Sequence, residues 1–231
     1  MKNCKKVFIT STGTELGKTY VTKNLVEFCS RKKRKVMAIK PIISGFDHKK
    51  PKKSDSGILL KSLNIDVNLE NVKSITPWVF NAPIAPTIAA KKENKKLSYN
   101  KIKNWIAKYL NENKFNYEYI FIEGAGGLLV PIGNKKTFLN LVSELNIPII
   151  LVVGSYLGSI SHTLSLIRNI QQEKLNLINI IVNDGVKSNI NIDQTIDLLE
   201  ENLPNNIKIR EIHKYTKNFQ NILDDIDHVK Y

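Results

Sequence analysis

Short apolar runs alternate along the chain with longer segments in which apolar residues return every three or four positions. The runs cover residues 7–10, 36–40, 119–123, 147–153 and 177–182, with a weaker one at 207–212. Most are continuously apolar rather than alternating, which is how strands covered on both faces read. Helical spacing covers residues 17–31, 98–111, 138–145, 159–173 and 192–202. Strands separated by helix-length segments predict an α/β fold with a mostly parallel central β-sheet, helices on both faces and right-handed crossovers. Ligands of such sheets gather at the carboxyl ends of the strands, so the polar residues just beyond each run are the candidates for chemistry.

The first run opens into TSTGTELGKT, ending at Gly17, Lys18 and Thr19 before a helical segment. Small residues let the backbone curl so that its N–H groups converge, and the start of the following helix adds partial positive charge. Lys18 supplies a mobile charge for the β and γ phosphates, and the Thr19 hydroxyl suits the magnesium that accompanies a nucleoside triphosphate. A strict loop of this type has glycine at position 12, where Thr12 stands beside Gly13. The expected fold is therefore of the P-loop NTPase type, and the expected ligand is ATP or a related triphosphate.

Other strand ends add to this. The second run ends at Lys40 and Pro41, followed by Ser44 and Gly45; Lys40 either holds a second phosphate or anionic intermediate, or snorkels before a turn. The third ends in Glu123 and then Gly124, Ala125, Gly126 and Gly127, a carboxylate placed to meet magnesium beside glycines that admit a ligand closely. Asp55, in KSDSG, reads on its own as a helix cap. Asn183 and Asp184 follow the fifth run, where a carboxamide either reads a base edge or makes a turn. The segment GSYLGSISH leads into a helix whose free N–H groups suit an anion, although it also reads as an ordinary Gly/Ser cap. His162 there is a lone histidine, either a base or a structural residue. No serine, histidine and acid pattern points to covalent hydrolysis.

Composition narrows the field. The chain has 231 residues, 42% of them hydrophobic, and fits a single domain over 1–231. No apolar run approaches the length of a signal core or a membrane span, so a soluble, cytoplasmic protein is expected. Cys4 and Cys29 lack the spacing of a disulfide framework or a zinc site. The net charge of +14 invites a polyanion partner, but Arg31, Arg34, Arg168 and Arg210 are the only arginines, and the lysines are scattered. Base-reading surfaces want arginine and stacking aromatics, so neither a nucleic-acid nor a membrane partner is expected.

Taken together, TSTGTELGKT, IKPIISG, KSDSG, APIAPTIAA, IEGAGGLLVPI, ILVVGSYLGSISH and IVND stand in the order and spacing of dethiobiotin synthetase, a family of the phosphate-loop superfamily which the chain resembles from about residue 7 to 212. The resemblance implies an ATP-dependent ligase of biotin biosynthesis, inserting CO2 between the vicinal amines of 7,8-diaminopelargonate. It implies that Glu15, Leu16, Gly17, Lys18, Thr19 and Tyr20 form the triphosphate loop, with Thr14 also near the phosphates. Thr19, Asp55 and Glu123 become ligands of Mg2+, and Lys40 neutralises the carbamate and the transferring phosphoryl group. Ser44 contacts the diamine, Gly124, Ala125 and Gly126 line the site, and Asn183 with Asp184 recognises the purine. Leu157, Gly158, Ser159, Ile160 and Ser161 hold the distal carboxylate across a homodimer interface. The chain departs from the family pattern at Ser11, Gly13, Thr87, Tyr156, Ser161 and the segment from Glu211 through His213 to Lys214 and Tyr215. The rival is a ParA/MinD-like nucleotide-switched ATPase on DNA or membrane, whose signature lysine would align at Gly13 and is missing.

Overall fold

A computed structural model describes residues 4–185, 190–213 and 216–229, so Lys214 and Tyr215 lie outside the described residues. The chain starts with β1 (Lys5–Ser11), α1 (Lys18–Arg31) and β2 (Val36–Ile39), then leaves the sheet for an excursion. The excursion holds β3 (Ile42–Ile43), a 3-10 turn at Pro51–Lys53, α2 (Asp55–Ser62), α3 (Leu69–Ile75), β4 (Trp78–Val79), α4 (Pro86–Lys92) and α5 (Tyr99–Asn113). After β5 (Tyr119–Glu123) come the small hairpin β6 (Pro131–Gly133) and β7 (Lys136–Thr137), and α6 (Phe138–Leu145). The remainder is β8 (Ile149–Gly154), α7 (Ser159–Gln172), β9 (Leu177–Asn183), α8 (Ile192–Asn202), β10 (Ile209–Ile212) and α9 (Gln220–Asp227).

Six strands form the central sheet in the order β10-β9-β8-β1-β5-β2, and every pairing is parallel. All residues of β2, β5 and β8 are buried. Because strand side chains alternate between faces, unbroken burial requires cover on both, which explains the continuously apolar runs. One apolar core runs from Cys4 to Ile226 and includes Phe8, Ile9, Leu25, Ile39, Phe121 and Val152. β1 lies inside the sheet with β5 and β2 on one side and β8, β9 and β10 on the other, so the direction of winding reverses beside it. That reversal opens the crevice in which ligands of such sheets bind.

The register aligns the candidate residues along one rim. Ile9 is opposite Glu123 and Ile39 is opposite Ile122, so Lys40, which follows Ile39, arrives at the level of Glu123. Ser11 is opposite Val152, and Asn183 pairs with both Gly154 and Ile212. The predicted strand 36–40 stops one residue early because the Lys40 N–H donates to the Ile75 carbonyl of the excursion at 3.1 Å instead of continuing the ladder. Of the excursion only α5 was predicted, at 98–111, and α9 was not among the predicted elements; α2, α3, α4 and α9 each span only seven or eight residues.

Charge as well as apolar contact docks α9 on the sheet. The nearly buried Asp225 carboxylate accepts from Lys208 at 2.7 Å, from Arg210 at 2.9 and 3.1 Å, and from the Asn179 amide at 3.2 Å. Burial alone would raise its pKa, but Arg210, Lys208 and Asn179 together hold it below the usual carboxylate value. Asp225→Ala is expected to cost about 2 kcal/mol in urea denaturation, less than a fully buried pair because Lys208 and Arg210 remain partly in water. A lowered folded-state pKa stabilises above the unfolded value of about 3.9 and ceases to do so as pH falls through the folded value. The gap between wild type and Asp225→Ala should therefore be full at neutral pH and close in acid.

Candidate active site

At the carboxyl end of β1 the loop turns through Glu15 and Gly17, both at positive φ, into α1. Gly17 has a steric reason: a Cβ there would lie 2.1 Å from Asn183 Nδ2. The Asn183 amide donates to the Leu16 carbonyl at 3.0 Å, and its oxygen accepts from the Gly185 N–H at 3.2 Å. Asn183 thus clamps the loop to the end of β9, the turn-making reading of this residue, and it does not line the cleft described below.

Lys18 is buried, and its ammonium donates to Ser11 Oγ at 2.7 Å and to the Gly13 carbonyl at 3.0 Å. Burial and the nearby Lys40 push its pKa down to about 8, against the opposing pull of Glu123 and Asp55. Lys40 does not snorkel. Its ammonium lies 2.6 Å from Glu123 Oε1, 3.0 Å from Asp55 Oδ2 and 3.2 Å from the Gly124 carbonyl. Burial would lower the Lys40 pKa, but Glu123 and Asp55 raise it above the ordinary lysine value. Asp55 is held low despite burial by Lys40, Thr19 and Lys18.

Asp55 is free for this contact because Ser54, not Asp55, caps α2, accepting from the Gly57 N–H at 3.0 Å. Thr19 donates to Glu123 Oε1 at 2.7 Å and stands beside Asp55. Glu123 is fully buried, and its second oxygen, Oε2, has no hydrogen-bond partner among the described residues. A buried carboxylate oxygen without a donor is costly, and one beside a second carboxylate and a hydroxyl offers the hard oxygen donors that magnesium takes. Thr19, Asp55 and Glu123 therefore fit that cation.

These groups face a cleft of about 560 Å³. Of the predicted site residues, Thr14, Glu15, Gly17, Lys18, Thr19, Tyr20, Lys40, Ser44, Asp55, Ala125 and Gly126 line it. Glu123 and Gly124 are tied to that lining through Thr19 and Lys40, and Leu16, held by Asn183, sits in the chain between the lining residues Glu15 and Gly17. The cleft also takes Ile43, Gly45, Pro83, Ile84, Ala85, Pro86 and Val130, an apolar wall that the search for polar residues missed. The only signal for it was the segment APIAPTIAA. The Ser44 hydroxyl oxygen is buried with no hydrogen-bond partner among the described residues.

Leu157, Gly158, Ser159, Ile160 and Ser161 do not line the cleft. They form the start of α7, where Leu157 is 92% exposed and Gly158 caps the helix at φ 94. His162 stands in the same turn, 3.1 Å from the Tyr156 hydroxyl, and is also absent from the lining. Asp184 is exposed and lies 3.1 Å from His213 Nδ1, while Tyr20 donates to the His213 carbonyl at 3.2 Å. Donation from its ring N–H to the Asp184 carboxylate raises the His213 pKa.

A family model described as an AAA domain matches residues 5–220. A protein of Legionella pneumophila (strain Corby) named ATP-dependent dethiobiotin synthetase BioD is 37% identical over 199 residues, 86% of each chain. The chain belongs to the dethiobiotin synthetase family. A second member, from Methylobacterium nodulans, is 36% identical over 181 residues, 77% of this chain and 80% of its own. Family membership makes the chain an ATP-dependent ligase of biotin biosynthesis. Among solved structures, the septum site-determining protein MinD of Pyrococcus horikoshii, complexed with Mg-ADP, superposes with a TM-score of 0.54 at 16% identity, over 97% of this chain and 86% of its own. MinD of Aquifex aeolicus, in complex with MinC, gives 0.53 at 18%. Likeness at that identity shows the shared P-loop fold alone. Among the described residues, no helix is long and apolar enough to cross a membrane.

The loop geometry yields a direct expectation. Gly17→Ala meets both the Asn183 amide and a left-handed backbone that costs an L-residue about 1–2 kcal/mol. Its melting temperature should fall, and Asn183→Ala in the same chain should recover only part of the loss. Wild-type stability in Gly17→Ala would contradict the clamp.

Proposed function

We propose that this chain closes the ureido ring of dethiobiotin from 7,8-diaminopelargonate, CO2 and ATP, through a carbamate and a carbamic phosphoric anhydride. The observation that carries this reading is the pair of buried lysines, Lys18 on the phosphate loop and Lys40 on Asp55 and Glu123, facing one cleft. One triphosphate-binding lysine serves any ATPase. A second, at the end of the neighbouring strand, suits a reaction in which another anion approaches the γ-phosphate.

An amine of the substrate first takes up CO2 as a carbamate, whose carbon is shielded by delocalised negative charge. Lys40 holds that carbamate beside the triphosphate, and Ser44 hydrogen-bonds the diamine through its unpartnered hydroxyl. The loop residues Thr14 to Tyr20 wrap the phosphates, with Lys18 stabilising charge as the carbamate oxygen attacks the γ-phosphorus and ADP leaves. The neighbouring amine, already within reach, attacks the activated carbon and expels phosphate, and proximity supplies much of that step. Thr19, Asp55 and Glu123 are the residues that would hold Mg2+, which when bound screens the triphosphate and makes its γ-phosphorus more electrophilic. Asp184 and the backbone beyond Asn183 border the end of the loop where the purine would lie.

In this reading the chain works as one domain and as a homodimer. The position of Leu157 to Ser161 outside the cleft lining supports it, because a start of α7 that receives the substrate's distal carboxylate would do so in the site of a second copy. Neither a nucleic acid nor a membrane is needed, and the reading suits a cytoplasmic enzyme.

Lys18→Ala is expected to lower dethiobiotin formation by about a hundredfold or more, followed by mass spectrometry with labelled bicarbonate; near-normal turnover would contradict the role of the loop. Glu123→Gln is expected to weaken the magnesium dependence of ATP-analogue binding in calorimetry while leaving the circular dichroism spectrum of the sheet intact. An unchanged magnesium titration would remove Glu123 from the metal site.

A further inference from the structure

Ser11 is the last residue of β1, fully buried, and its hydroxyl sits at a junction of three segments. It accepts from the Lys18 ammonium at 2.7 Å and faces two carbonyls, that of Gly13 inside the phosphate loop and that of Gly126 at 3.2 Å in the segment following Glu123. Its own carbonyl accepts from the Leu128 N–H at 3.2 Å. The two segments are in direct contact, since a Cβ on Gly127 would stand 3.2 Å from the Ser11 carbonyl oxygen and 3.3 Å from that of Thr12. An ammonium has three donors. Ser11 Oγ and the Gly13 carbonyl take two of them, which fixes the axis of the lysine and leaves the third for an acceptor in the cleft.

We propose that Ser11 is a positioning residue for the triphosphate: its hydroxyl aims the Lys18 ammonium into the phosphate cradle and ties that lysine to the segment carrying Glu123. The hydroxyl is suited to this because it accepts from Lys18 while its one proton is shared between the two carbonyls, of which that of Gly13 also accepts from Lys18. Alanine or glycine would leave Lys18 with the Gly13 carbonyl as its remaining anchor and free the ammonium to swing. The cost would then fall on the interaction of Lys18 with phosphate rather than on the sheet, whose apolar packing does not involve the hydroxyl.

The proposal rests on the ATP reading above, and a double-mutant cycle separates the two. Calorimetry with magnesium and a non-hydrolysable ATP analogue would be run on wild type, Ser11→Ala, Lys18→Ala and the double variant, with Ser11→Thr as the conservative control. Ser11→Ala is expected to weaken binding about tenfold, the worth of a hydrogen bond to a charged group. The same change in the Lys18→Ala background is expected to do nothing further, and Ser11→Thr to bind as wild type. Equal losses in both backgrounds, or no loss in either, would overturn the role of Ser11 while leaving the nucleotide reading in place. Failure of the wild-type chain to bind the analogue would overturn the nucleotide reading and this proposal with it.

Discussion

A fully buried carboxylate at the end of a parallel strand is the constraint around which the cleft is arranged. Glu123 closes β5 with no exposure to water, and an unpaired charge there would cost several kcal/mol. Lys40 and Thr19 meet one of its oxygens. To reach it, β2 must lie beside β5 and end one residue before Lys40, and α1 must begin at the phosphate loop so that Thr19 arrives from the other side. Asp55 then balances the second positive interaction of Lys40, which in turn fixes the start of α2. The excursion after β2 is thereby anchored to the same charge centre as the loop after β1.

This arrangement also explains how a common nucleotide fold serves a ligase. The loop, its lysine and the strand-end acid belong to any P-loop protein. The excursion adds Lys40, Ser44, Asp55 and the apolar wall of Pro83, Ile84 and Pro86, so that one side of the cleft suits a triphosphate and the other a partly apolar, diamine-bearing substrate.

Much of the sheet was legible because burial on both faces leaves a distinctive trace, unbroken apolar runs at 119–123 and 147–153. Residues 138–145 and 192–202 were predicted with the observed helix bounds, since their apolar residues recur at three- and four-residue spacing. Lys18 and Thr19 were legible from the small-residue loop that joins β1 to α1, and Glu123 as the last residue of β5. Asp55 was marked only by the family resemblance, because its role depends on Ser54 taking the cap and on Lys40 arriving from 15 residues earlier. The apolar wall carries no polar atom to mark it, and its place in the cleft is set by tertiary contact. Asn183 shows the converse. A carboxamide at a strand end reads either as a base reader or as a turn, and its amide here donates to the Leu16 carbonyl and shapes the loop.

The most direct measurement follows oxygen rather than carbon. Wild-type protein turned over briefly with 18O-labelled bicarbonate, 7,8-diaminopelargonate, ATP and magnesium should form dethiobiotin, ADP and phosphate, with one labelled oxygen in the ureido carbonyl and one in the released phosphate. That distribution is required if a carbamate oxygen attacks the γ-phosphate before the ring closes. Labelled dethiobiotin accompanied by unlabelled phosphate would contradict activation of the carbamate by phosphoryl transfer. Phosphate release with no dethiobiotin would contradict the ligase assignment of the cleft itself.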